Sequence, residues 1–142
     1  TLHALKKYDD AIECFNIAIR LDPEIYSVYI SKGKTLHALK KYDDAIECFN
    51  TVIRLDPEYE PTYISKGKTL HALKKYDDAI ECFNTAIRLD PEYIEAYVNK
   101  ILTLLALNKY AEALKCYDVI VKLDPDNSEV HYIKTEIDNA TR

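Results

Sequence analysis

The chain has 142 residues and a formal net charge of −5, with 48% hydrophobic and 30% charged residues. That mix belongs to a folded chain rather than a disordered one, and its acidity argues against a phosphate-binding surface for nucleic acid. No apolar run approaches the roughly 20 residues of a membrane span, so no membrane is expected as a partner either.

The stretch TLHALKKYDDAIECFN stands at Thr1–Asn16, Thr35–Asn50 and Thr69–Asn84, a drifted copy begins at Thr103, and each start lies 34 residues after the last. A fixed period in the thirties is the mark of a stacked repeat array, in which each unit buries its apolar face against its neighbours. Thr1–Lys6 is expected to be the tail of one helix and Tyr8–Leu21 a second helix. Three complete helix pairs follow over about residues 26–127. Each is announced by an Asp-Pro element, at Asp22-Pro23, Asp56-Pro57, Asp90-Pro91 and Asp124-Pro125. Asp56 is expected to cap a helix, with Pro57 in its first turn and Glu58 complementing the helix dipole. First helices should run to about Leu39, Leu73 and Leu107, with breaks at Lys40-Lys41, Lys74-Lys75 and Asn108-Lys109. Second helices open near residues such as Tyr42-Asp43-Asp44 and carry an apolar stripe, in the first full copy Ala45, Ile46, Phe49, Val52 and Ile53. A single helix from about Asn127 to Ala140 closes the chain. The expected division is a partial repeat over 1–25, complete repeats over 26–59, 60–93 and 94–127, and a closing helix within 128–142.

Little in this pattern supports catalysis. Cys14, Cys48, Cys82 and Cys116 occupy one place in the repeat. Helices stack about 8–10 Å apart, too far for a disulfide, so these are expected to be small, semi-buried apolar side chains beside an aromatic residue. Free thiols point to a reducing compartment, the cytoplasm. His3, His37 and His71 also recur every 34 residues, a spacing poorly suited to one metal ion, and no metal or cofactor is expected. No Ser/His/acid arrangement stands out. Asp43-Asp44 are adjacent on a helix and point apart, which suits dipole complementation better than acid–base work. Asn139-Ala140-Thr141 matches the glycosylation triplet and is read as chance.

The residues that recur carry a resemblance to the tetratricopeptide repeat family. Its pattern of aromatic, small and large apolar residues, then Ala, aromatic, Ala and Pro, is met by Tyr29, Gly33, Leu36, Ala45, Phe49, Val52 and Pro57. The next copy supplies Tyr63, Gly67, Leu70, Ala79, Phe83, Ala86 and Pro91, and the third Tyr97, Leu104, Ala113, Tyr117, Ile120 and Pro125. Ile101 stands where the others have glycine, so the third pair is expected to be splayed or repacked. The resemblance implies an all-α fold, a right-handed superhelical solenoid of stacked antiparallel helix pairs. It also implies a non-catalytic scaffold whose first helices line a concave groove for an extended peptide. Carried over by position, the groove holds Ile30, Lys34, His37, Ile64, Lys68, His71, Val98, Asn99 and Leu102. Glu95, Leu105, Glu129, Tyr132 and Glu136 lie further along the same faces. The front is cationic, which suits an acidic peptide. A clamp for chaperone C-termini, known in some members, is matched here by Lys34 and Asn99 but not by Ile30, Ser65 or Glu95.

The two ends differ. Val130, Ile133 and Ile137 form a stripe suited to packing back on the array, while His131, Thr135 and Asp138 are polar, as a solvating cap requires. At the start, Leu2, Leu5, Ile12, Phe15 and Ile19 are expected to be poorly covered. The chain is therefore read as a C-terminal piece of a longer array, with self-association into a homodimer through this edge as one alternative. An accessory role in a longer enzyme is another.

Overall fold

The computed structural model describes residues 2–142; Thr1, the first residue of the expected helix tail, lies outside them. Among the described residues there are eight α-helices and no strand: α1 Leu2–Leu21, α2 Tyr26–Ala38, α3 Tyr42–Leu55, α4 Glu60–Ala72, α5 Tyr76–Leu89, α6 Ile94–Ala106, α7 Tyr110–Leu123 and α8 Ser128–Ala140. Each helix packs chiefly on the next in the chain, and α4 also touches α2 and α6. The result is an all-α solenoid of antiparallel pairs, α2–α3, α4–α5 and α6–α7, flanked by α1 and α8.

Within each pair the turn is made by a residue in the left-handed region: Lys40 at φ 61°, Lys74 at φ 62° and Asn108 at φ 59°. The amide of Lys41 donates to the Leu36 carbonyl at 2.9 Å, and Lys75 to Leu70 and Lys109 to Leu104 repeat that bond at 2.9 Å. This closes the first helix in a Schellman turn. A left-handed lysine is strained by about 1–2 kcal/mol, whereas asparagine tolerates the conformation better.

Between pairs, the Asp-Pro element is the connection and not the start of a helix. Asp56 ends α3 with φ −145° and ψ 87°, because the residue before proline is pushed out of the helical region. Its Oδ1 accepts from the Glu58 amide at 3.2 Å, and α4 begins only at Glu60. Asp22 and Asp90 hold the same turn at 3.1 Å. Side-chain capping of a helix occurs instead at α8, where Asn127 accepts from the Glu129 amide at 3.0 Å. The aromatic residue of each first helix then fastens this connection: Tyr63 Oη donates to the Pro57 carbonyl at 2.7 Å, Tyr97 to Pro91 at 2.9 Å and Tyr29 to Pro23 at 3.2 Å.

Packing inside the first two complete pairs turns on glycine. A Cβ on Gly33 would sit 2.6 Å from the Phe49 ring, and one on Gly67 would sit 2.8 Å from Cζ of Phe83. Phe49 and Phe83 are buried accordingly. The third pair is repacked. Ile101 is itself buried, in a cluster with Ile120, Ile133 and Ile137, and Tyr117 is left half-buried at the edge of that cluster. Val130, Ile133 and Ile137 of α8 are buried on it, while His131 and Thr135 are exposed. Cys48, Cys82 and Cys116 are buried and free, and burial pushes the Cys82 thiol up to about 11. Among the described residues one buried side-chain polar atom has no hydrogen-bond partner: Thr62, 1% exposed, leaves its hydroxyl unbonded at a register where Val28, Ala96 and Val130 stand in the other helices.

The N-terminal helix departs from expectation. In place of a tail, a break and a second helix, α1 runs unbroken through Lys6-Lys7. The same residues turn at Lys40 and Lys74 because burial of α2 on α3, and of α4 on α5, offsets the strain of the left-handed lysine. In α1, on whose N-terminal side no described helix packs, continuing the helix adds a hydrogen bond per residue at no such cost. The face of α1 that would meet a partner is correspondingly open: Cys14 is exposed and Ala11, Phe15 and Ala18 are half-buried, whereas Ala45, Cys48, Phe49 and Val52 are buried.

Candidate functional site

Residues three and four apart share one face of a helix, and on α2, α4 and α6 that face is turned to a common trough. At its front, Lys34, His37, Ser65, Lys68 and Thr69 surround a depression of about 290 Å³ floored by Phe49. It joins a middle depression of about 180 Å³ through His37 and Lys68, which His71, Asn99, Leu102 and Thr103 also line. Leu102 in turn borders a rear depression of about 430 Å³, formed with Val98, Tyr132, Ile133, Ser128 and Glu129. Seven of the nine expected groove residues therefore line one continuous trough. The other two do not line these depressions. Ile64 is only 3% exposed, packed with Ala86 and Ala96, because the small Ala96 side chain lets α6 close over it; it belongs to the core. Ile30, at the same register on α2, is half-buried.

The histidines are fixed parts of the trough wall. Thr69 Oγ1 donates its one hydrogen to the Ser65 carbonyl at 2.8 Å, so its bond of 2.8 Å to His37 Nδ1 is one it accepts. Thr103 does the same between the Asn99 carbonyl and His71 Nδ1, at 2.9 Å each. Both rings therefore carry their hydrogen on Nδ1, leaving Nε2 as an acceptor. Each ring also meets a tyrosine edge-on, His37 with Tyr42 at 5.2 Å and His71 with Tyr76 at 5.1 Å. Burial lowers both pKa values, and the neighbouring Lys68 ammonium lowers that of His37 further, so the rings are neutral at pH 7. His3, on the straight α1, is exposed.

Thr69 and Thr103 were not singled out among the sequence candidates. Their signal was present: the Thr-x-His of two copies meets the threonine of the next, His37 with Thr69 and His71 with Thr103. The fixed cations divide as well. Lys68 Nζ lies 3.7 Å from a Glu95 carboxylate oxygen, both side chains being about half exposed. Asn99 spends an amide hydrogen on the Glu95 carbonyl of its own helix at 2.8 Å. Lys34 is exposed and has no carboxylate within 4.0 Å among the described residues. A larger depression, about 460 Å³, lies elsewhere among α1, α2 and α3. Its three carboxylates, Asp9, Asp44 and Glu47, largely offset Lys32 and Lys41. Among the described residues no group of three metal-binding side chains comes together, and no helix is long and apolar enough to cross a membrane.

Comparison with known proteins agrees with this architecture. No curated protein sequence matches the chain. Among solved structures, the first repeat domain of Spaghetti (RPAP3), bound to the HSP90 peptide SRMEEVD, is 29% identical with a TM-score of 0.76, over 82% of this chain and 94% of that one. The first domain of human RPAP3 is also 29% identical, with a TM-score of 0.77 over 84% and 94%. MamA, at 21% identity, shares the fold over 98% of this chain and 85% of its own, with a TM-score of 0.82. Tetratricopeptide repeat models match residues 1–25, 26–59 and 70–137. With the helix pairs, their glycine–aromatic packing and the trough all in place, the chain belongs to the tetratricopeptide repeat family.

Proposed function

We propose that the chain is a non-catalytic interaction module that holds an extended acidic segment of a protein in the trough, in a cytoplasmic setting. The observation that carries this reading is the meeting of Lys34 and Lys68 along one continuous concavity. The acidic peptide SRMEEVD in the Spaghetti complex supports it by likeness. Departures at Ile30, Ser65 and Glu95 from the chaperone-tail clamp make Lys34, rather than a full clamp, the main anion contact.

Fluorescence anisotropy with labelled SRMEEVD as an acidic probe tests the reading. Lys34→Glu should weaken binding roughly tenfold at low salt, and raising ionic strength should weaken the wild type, since exposed charges are screened. Binding indifferent to both would sink the proposal. Lys34 is the cleaner choice, because reversing Lys68 would also set two acids side by side at Glu95.

The open face of α1 favours a second reading, self-association. Leu2 and Leu21 are 87% and 83% exposed, and Cys14 is uncovered. On this reading light scattering of the 142-residue chain should show mass rising with concentration, and Ala11→Glu should abolish the rise. A constant monomer mass at high concentration removes it.

A further inference from the structure

We infer that the segment taken by the trough is dipolar: acidic at the α2–α4 end, with a large apolar side chain about five or six residues away and a basic side chain beside it. This rests on the peptide-groove reading above and deepens it. At the front, Lys34 and Lys68 supply positive charge, while the neutral histidines, held through Nδ1, add no charge and offer acceptors for N–H groups of the segment.

Charge then reverses along the trough. Glu95 on α6 occupies Lys68 from the rear side, so a carboxylate reaching past α4 meets an acid. Beyond it Glu129 stands on the rim of the rear depression, and Glu136 follows on the same exposed side of α8. Of the nearby lysines, Lys134 is engaged by Asp138. Between the two charged regions lies apolar surface: Leu102 is 44% exposed and Tyr132 66% exposed, and they border one depression of about 430 Å³ with Val98 and Ile133. Such a volume falls in the range of clefts that accept small ligands, and it suits an aromatic or leucine side chain. A basic neighbour of that side chain would complement Glu129. First helices stacked about 8–10 Å apart place the rear depression two steps, roughly 16–20 Å, from the front. An extended segment covers that in about five or six residues.

The test uses labelled peptides on the whole chain. DDSGSGSFK and its reverse, KFSGSGSDD, present the two directions. In the better-bound direction, replacing Phe by Gly should weaken binding about tenfold, and replacing the peptide Lys by Glu about fivefold. Glu129→Lys in the protein should invert that second preference, and its exposed position leaves the fold intact. If Lys34→Glu weakens binding while neither peptide change nor Glu129→Lys matters, the trough takes acidic segments without polarity and the dipolar assignment is overturned. If Lys34→Glu also has no effect, the groove reading itself fails.

Discussion

Gly67→Val should destabilise the array by about 2–3 kcal/mol, read as a lowered urea midpoint by circular dichroism. The side chain would be driven into the Phe83 ring, which is fully buried and cannot step aside. Overpacking of this kind costs about 1–3 kcal/mol, and valine's better helix propensity than glycine's returns only a few tenths. Adding Phe83→Leu should recover part of the loss, because the aromatic ring is the atom group in the way. A single variant as stable as the wild type would mean that α4 and α5 can separate freely, contrary to the close approach described here. Because arrays of this kind melt unit by unit, the comparison belongs at the level of the midpoint and its slope together.

The reciprocal change should be costlier. Ile101→Gly restores the residue found in the other two copies, yet it should cost about 4 kcal/mol or more. Ile101 is fully buried among Ile120, Ile133 and Ile137. Removing such a side chain costs about 2–5 kcal/mol through lost transfer energy and the cavity left behind, and glycine adds about 1 kcal/mol in a helix interior. Tyr117, half-buried at the margin, would have to swing inward to refill the space. The loss should reach α8, whose Ile133 and Ile137 share the cluster; hydrogen exchange should show its amides opening before those of α4 and α5. Protection of α8 equal to wild type would show that its docking does not depend on Ile101. Taken together, the two substitutions mean that one repeat position obeys opposite rules in neighbouring units.

Much of this was legible in the sequence, and the exceptions have physical causes. The 34-residue period and the Ala–aromatic spacing gave the helix pairs and the faces they bury. Departure from glycine at Ile101 marked the third pair as splayed or repacked, and it is repacked. The Asp-Pro element was misread because proline's helix-starting habit and its effect on the preceding residue point in different directions; at Asp56 the second prevails. Ile64 is placed in the trough by carrying the family's positions over, but its exposure depends on the residue facing it from α6, and Ala96 is small. The pairing of His37 with Thr69 joins different helices and could be found only by laying one copy over the next. Lys34, Lys68 and Asn99 line the trough, yet Glu95, which occupies Lys68 and Asn99, followed only from three-dimensional placement.

Fifteen identical residues run straight in α1, over Leu2–Asn16, and in the later copies bend at Lys40 and at Lys74. The elbow is therefore not written in its own letters; it is held shut by the helices that lie across it. In α1, where no described helix lies across it, the segment is part of one helix of twenty residues, about 30 Å long. Each joint of the array is thus a collective property of the helices that meet there.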